Sequence, residues 1–371
     1  MLATEAARPV ETVSAASVKG HIWAAFRPVN AFLQFYFTPF ANPQKTVLYA
    51  LESRRPLRKR VMVVETNPPP GRPQPHTGEG NRAVDSAQAP AISIVLPVHN
   101  GERYLQAALD SIDGQTFRDF EVIAVDDCST DSTPAILATG AARHDWLSVI
   151  TNRTNLKLPA TLNVGFAAAR GEWLSWTSDD NLLRPDTLAR LIDSVRSNPV
   201  DIVYAGFAII DEEANRTGTG EVGPASDLVF GNCVGCCFLY RREVDSALGG
   251  YDEHLFGVED YDFWLRAADA GFRFRLLADE LYDYRRHGGS LTDTRSRQIH
   301  ALVAPLMLRR IDALPASPRR AEALVRLACR DPYTLRWRLI GRAWHDHPLT
   351  VMRHAGSILR WVKYAARVRL G

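Results

Sequence analysis

The residues best equipped for chemistry are acids set in adjacent pairs. Asp179 and Asp180 end the apolar run Trp173-Leu-Ser-Trp-Thr-Ser, and Asn181 and then Pro185-Asp186, which opens a helix, follow them. A second pair, Asp126-Asp127, ends the run Phe120-Glu-Val-Ile-Ala-Val. Neighbouring side chains of a strand point to opposite faces, so both members of a terminal pair can act only where the chain is turning. Unpaired buried carboxylates are costly, and acids placed there usually meet a cation or a hydrogen-bond donor. An exposed turn with a helix cap is the competing explanation. A third pair, Glu259-Asp260, precedes Tyr261, Trp264, Leu265 and Ala268, whose helical spacing puts the acids at a helix start. There they stabilise the helix dipole by about 0.3–1 kcal/mol, and the dipole in turn lowers their pKa.

These pairs need strands and turns to hold them. Ala91-Ile-Ser-Ile-Val-Leu-Pro97-Val-His99-Asn100 is a near-continuous apolar strand, as in a parallel sheet covered on both faces. Apolar residues at 104, 105, 108, 109 and 112 predict a helix behind it. A strand over 120–127 runs into Cys128-Ser-Thr-Asp-Ser-Thr-Pro134, which is turn and cap chemistry with Ser129 or Asp131 as cap. Leu147-Ser-Val-Ile, a helix over 159–169 and the strand at 173–178 continue the alternation. The pattern predicts an α/β fold with a mostly parallel sheet flanked by helices and a crevice at the strands' C-terminal ends. A strand from Asp201, a polar hairpin over 211–224 and the trio Cys233, Cys236 and Cys237 follow. Zinc needs a second ligand pair at suitable spacing, so the cysteines read as small residues flooring a cleft.

The chain has 371 residues and a net charge of +2, with a basic last seventy. Residues 1–66 form an N-terminal region without clear pattern, containing His21-Ile-Trp-Ala-Ala-Phe, Ala31-Phe-Leu-Gln-Phe-Tyr-Phe and the basic cluster 54–60. Residues 67–90 are a Pro- and Gly-rich linker. The main domain spans 91–298, and 299–371 is a basic helical extension. Five cysteines without an even ladder, and the absence of a basic-then-apolar start, point to a reducing, cytoplasmic setting. No apolar run is long enough to span a bilayer. In 350–370, Ile358, Leu359, Trp361, Val362 and Ala365 alternate with Arg360, Lys363 and Arg367. That pattern suits packing on the main domain, or peripheral contact at the inner face of a membrane.

Ser93-Ile-Val-Leu-Pro-Val-His-Asn, Val125-Asp-Asp-Cys-Ser-Thr-Asp, Ser178-Asp-Asp-Asn, Gly249-Gly-Tyr-Asp with Val258-Glu-Asp-Tyr-Asp-Phe-Trp, and Tyr284-Arg-Arg-His-Gly-Gly-Ser occur in that order. Together they resemble the family 2 glycosyltransferases, whose Rossmann-like fold is called GT-A. The resemblance covers about residues 91–292. It implies transfer of a sugar from a nucleotide-diphosphate donor, UDP- or dTDP-linked, to a glycan or lipid-linked acceptor in polysaccharide biosynthesis. It further implies inversion, Mg²⁺ or Mn²⁺ as cofactor, and no nucleic acid partner.

By the same resemblance Pro97, His99 and Asn100 hold the base and ribose. Asp126 or Asp127 accepts from a base N–H or ribose hydroxyl, Asp127 being nearer the crevice. Asp179 meets the ribose or a metal-bound water, Asp180 binds the metal, and His287 reaches the metal or diphosphate from a loop. Asp260 is the general base, with Glu259 and Trp264 on the acceptor side. Asp262 and Arg266 are spaced as a helical ion pair. The chain departs from the pattern at His99, where Tyr is usual, and at Thr177 and Ser178, where many relatives carry an acid. Those departures motivate a second reading, a non-catalytic sugar-nucleotide or carbohydrate binding protein on the same fold. A nucleotidyltransferase is disfavoured, because Val-His-Asn-Gly-Glu-Arg is no Gly-rich phosphate loop.

Overall fold

A computed structural model describes residues 89–331, 334 and 336–370, together with the backbone of three earlier strands. The chain divides into two compact units, Met1–Val84 and Asp85–Gly371. In the first, β1 (Phe35–Pro39), β2 (Lys45–Ala50) and β3 (Met62–Glu65) form an antiparallel sheet in the order β1-β2-β3. The sequence reading assigned no strand here; β1 covers the second half of the aromatic run at 31–37. The segment 21–26, the basic cluster and the linker up to residue 88 lie outside the described residues.

The second unit opens with β4 (Ile92–Val98), α1 (Leu105–Asp113), β5 (Phe120–Asp126), α2 (Thr133–Arg143), β6 (Leu147–Thr151), α3 (Leu158–Ala168) and β7 (Trp173–Trp176). The four strands are parallel in the order β6-β5-β4-β7. Val98 pairs with Asp126, and Asp126 with Thr151. The ladder therefore ends level, and the loops that follow share one rim. Alternation explains the strand burial: Ile92, Ile94, Leu96 and Val98 feed one core, and Val95 feeds the other. The two cores lie on opposite faces of the sheet.

Beyond β7 the sheet becomes mixed. β8 (Leu182–Leu183), α4 (Thr187–Ser197), β9 (Ile202–Ile210), β10 (Arg216–Thr219), a 3-10 turn (Ala225–Phe230), β11 (Cys237–Arg241) and α5 (Arg242–Leu248) follow. Then come α6 (Glu259–Asp269) and the long β12 (Phe274–Arg285). β11 joins β7 and β9 antiparallel, β9 and β12 run parallel, and β8 closes against β12 antiparallel. The mostly parallel expectation therefore holds, with the antiparallel pairings confined to the second half, where β9 and β12 are still parallel.

The short α7 (Leu291–Thr294) leads into α8 (Ser296–Asp312), α9 (Pro318–Ala328), α10 (Trp337–Asp346), α11 (Pro348–Arg353) and α12 (Ala355–Leu370). Their buried residues, among them Met307, Leu324, Ala343 and Val351, belong to the same core as Phe238 and Trp264. On α12, Trp361 and Ala365 are buried, and the Trp361 ring meets Trp337 with centroids 5.6 Å apart. Leu359 and Tyr364 stay 62% and 56% exposed beside the exposed Arg360, Lys363 and Arg367. Among the described residues no helix is long and apolar enough to cross a membrane.

Candidate active site

The rim of the parallel half is laced by short side chains. Ser129 Oγ accepts from Asn100 N at 2.9 Å, and Thr133 Oγ1 accepts from Gly101 N at 2.9 Å. Asn100 Oδ1 accepts from Thr130 N at 2.8 Å. Asn100 itself turns through φ 56°, a left-handed conformation that Asn tolerates. Asp131 accepts from Glu102 N and Thr133 N, which satisfies the turn where a cap was expected.

Asp126 is buried and receives Ser129 N at 3.0 Å, so it serves the turn and does not line the cavity beside it. Asp127 is also buried but faces that cavity. Its Oδ1 accepts from Asn152 Nδ2 and Leu156 N, and its Oδ2 accepts from Lys157 N at 2.9 Å. Asp127 thus fixes the loop 152–157 and keeps only its remaining lone pairs for a ligand. Lys157 is held at φ 75°, ψ 160°, a conformation that costs a side-chain-bearing residue about 1–3 kcal/mol. No sequence signal marked it, because strain of this kind is set by tertiary hydrogen bonds.

The cavity measures about 580 Å³, and Pro97, His99, Asn100, Asp127, Asp179, Asp180 and His287 all line it. Seven residues expected at a donor site from separate segments therefore meet. His99 Nδ1 donates to the Asp127 carbonyl at 3.0 Å, which fixes the ring at the cavity wall. Asp179 owes its place to Gly101, because a Cβ there would collide with its carboxylate. Burial, and then the adjacent Asp180, push the Asp179 carboxyl up to about 7. Thr177 turns away and shares a 2.7 Å hydrogen bond with the Tyr282 hydroxyl.

Asp180 Oδ2 accepts from His287 Nε2 at 3.0 Å. Its Oδ1 is buried without a hydrogen-bond partner. A buried bare carboxylate oxygen beside an imidazole is the donor set that a hard divalent cation takes while keeping sites for phosphate and water. Asp180 and His287 therefore fit such an ion. Among the described residues there is no cluster of three or more metal-ligating side chains, so a cation held here would rely on its substrate for ligands. Arg285, which the sequence reading passed over, is almost fully buried at the end of β12. It donates to the carbonyls of Asp180, Asp211 and Glu212 and lies 4.6 Å from the Tyr104 ring centroid. Tyr104 in turn packs on His287 at 5.2 Å.

A second cavity of about 290 Å³ adjoins the first and shares Asp180, Ser178 and Leu158 with it. Glu259 and Asp260 line it from the start of α6. Asp260 Oδ2 accepts from Asn232 Nδ2 at 2.8 Å. Burial raises the Asp260 carboxyl above the ordinary range, against the pull of Tyr261 N and Asn232. The sequence expectation had the helix dipole lowering it; desolvation wins because the carboxyl is enclosed. Glu259 is raised too, by burial and then by Asp260.

Trp264 does not reach this cavity. It is 0% exposed and packs on Phe238, Phe263, Tyr240 and Phe274, one turn past the acids on the inward face of α6. Asp262 and Arg266 do form the i,i+4 pair, at 2.6 Å. Cys236 lines the second cavity, whereas Cys237 is in the core.

The model of the family described as glycosyl transferase family 2 matches residues 93–249. An uncharacterized glycosyltransferase of Rickettsia typhi is 27% identical over 229 residues, covering 57% of this chain and 69% of its own. Staphylococcus aureus TarS, solved with UDP-GlcNAc, is 20% identical at TM-score 0.54, covering 70% of this chain and 81% of that one. The mannosyltransferase PcManGT of Pyrobaculum calidifontis, solved with GDP-Man and Mn²⁺, is 19% identical at TM-score 0.53, covering 75% and 84%. At such identity the solved structures speak for the fold. Family match, relatives and fold agree: the chain is a glycosyltransferase whose residues 93–249 match the family 2 glycosyltransferases, on a GT-A fold.

Proposed function

We propose that the enzyme transfers a sugar from a nucleotide-diphosphate donor to an acceptor hydroxyl in one inverting displacement, with Asp260 as base. The observation that carries this reading is the meeting of two cavities at Asp180, one with the donor-site residues and the other with Asp260. The neighbours' UDP-GlcNAc and GDP-Man favour a nucleotide sugar here too, in the first cavity. His99 and Asn100 would face the base and ribose, and Asp179 the ribose.

Asp180 and His287 would hold Mg²⁺ or Mn²⁺, as the neighbour's Mn²⁺ also suggests. Such an ion neutralises the charge that develops on the leaving diphosphate. Asp260, raised toward neutrality yet still largely ionised above it, accepts the proton of the attacking hydroxyl. Asn232 orients that carboxylate. A base on the acceptor side, with the donor in a separate cavity, supports direct displacement and therefore inversion.

The five free thiols fit a cytoplasmic setting. The exposed basic and apolar residues of α12 fit peripheral contact with an anionic membrane, where lipid-linked acceptors of polysaccharide biosynthesis reside. The decisive experiment is a panel of nucleotide sugars screened for donor hydrolysis with and without Mn²⁺ or chelator. Metal-dependent turnover of at least one donor is expected, and none with any donor would reject the proposal.

A further inference from the structure

The two adjoining cavities differ in charge. The first is mixed, with His99, Arg103, Lys157, His287 and Arg295 among its walls beside Asp127, Asp179 and Asp180. The second presents Asp180, Glu221, Glu259 and Asp260, and no Lys, Arg or His among the described residues that line it. Four aromatic residues also line it: Trp176, Phe207, Tyr282 and Tyr284. These rings are held in place. Phe207 is gripped between Gly220 and Gly235, where a Cβ would strike its ring, and it meets Tyr284 edge-on at 5.8 Å. Trp176 is tied through Nε1 to the Tyr251 hydroxyl at 3.0 Å.

We infer that the acceptor hydroxyl belongs to an uncharged sugar ring and not to a phosphate such as a polyprenyl phosphate. This rests on the proposed roles of the two cavities. A phosphate acceptor brings negative charge into a partly desolvated site, where it needs Lys, Arg or a helix N-terminus to offset it. Here the start of α6 is already taken up by its own Glu259 and Asp260, which accept from Gly257 N and Tyr261 N, and apart from the cation proposed at Asp180 the lining offers a phosphate no positive side chain. A sugar ring offers what the lining can use, with C–H faces for the aromatic walls and hydroxyls that donate to Glu221 and Asp260. A lipid-linked glycan remains compatible, because its reacting residue is itself a sugar ring.

The test uses the full chain with Mn²⁺ and whichever of UDP or GDP binds more tightly by calorimetry. Saturation-transfer NMR then compares a panel of p-nitrophenyl hexosides with geranyl phosphate. At least one hexoside should bind, and Phe207→Ala should weaken it tenfold or more. Geranyl phosphate should fail to bind the wild type and gain affinity in Glu221→Lys, an exposed position that tolerates the change. Binding of geranyl phosphate to the wild type overturns the inference, as does failure of every hexoside or indifference of both ligands to both variants. Failure to bind either nucleotide would reject the donor assignment and this inference with it. Nucleotide binding combined with capture of geranyl phosphate rejects the inference alone.

Discussion

Nε2 of His287 lies 3.0 Å from Oδ2 of Asp180, across 107 positions of sequence. The contact is backed by Tyr104 behind the imidazole and by Arg285, which holds the Asp180 carbonyl. If this pair holds the metal, Asp180→Ala should remove nearly all transfer and Mn²⁺ binding while leaving the circular dichroism spectrum unchanged. His287→Ala should raise the Mn²⁺ concentration needed for half-maximal activity. Arg285→Lys keeps the charge but not the forked donors, and should weaken Mn²⁺ binding about 10–100-fold, as loss of a supporting partner does. Calorimetric Mn²⁺ titrations check all three.

Asp260→Asn separates base from donor binding. Nucleotide affinity should change little, and kcat should fall about 10²–10⁴-fold. The wild-type rate should also fall on acidification. Protonation of Asp260 removes the base, and its pKa is raised by burial. The acid limb of the pH profile should therefore lie above the ordinary carboxylate range near 4, and an acid limb at or below that value would count against Asp260.

Asp179 predicts a stability effect of definite sign. Its folded pKa of about 7 exceeds the unfolded value of 3.8, so its neutral form favours folding. That contribution is present at low pH and is lost as pH rises from the unfolded toward the folded pKa. Asp179→Asn should therefore raise the Tm of the ligand-free protein at pH 8, by roughly 2–4 °C for a 1 kcal/mol gain. At pH 4 the gain should vanish. Calorimetric scans at the two pH values measure the difference.

For the membrane, the triple change Arg360→Glu, Lys363→Glu and Arg367→Glu alters exposed residues and spares the buried Trp361 and Ala365. Each basic residue near an anionic surface contributes about 1 kcal/mol. The wild type should co-sediment with phosphatidylserine liposomes, and the triple variant should stay in the supernatant. Added salt should release the wild type. Equal sedimentation of both proteins would reject the contact.

The parallel half of the fold was legible because a buried strand followed by turn and cap residues is written locally, as in 92–98 and 120–134. The order of the acids around the crevice followed from that alternation. The antiparallel entry of β11 beside β7 and the length of β12 were not legible, since pairing across 66 to 75 residues leaves no local trace. Trp264 was misplaced for a related reason. Helical spacing marks an apolar face but not what that face meets, and here it meets Phe238 and Phe274. Asp126 and Asp127 could not be divided from sequence, because the turn that takes up one and aims the other at the cavity depends on donors at 129 and 152–157. Arg285 went unnoticed because its partners are backbone carbonyls, which have no sequence signature.

The division of charge between the two cavities also bears on how the enzyme is inhibited by what it makes. A released nucleoside diphosphate is a polyanion; the acidic cavity would repel it, whereas the first offers it Arg103, Lys157 and Arg295. Product should therefore compete with the donor and not occupy the acceptor's place. Turnover in a cell rich in free nucleotides would then be throttled by the ratio of donor to spent nucleotide, whatever the supply of acceptor.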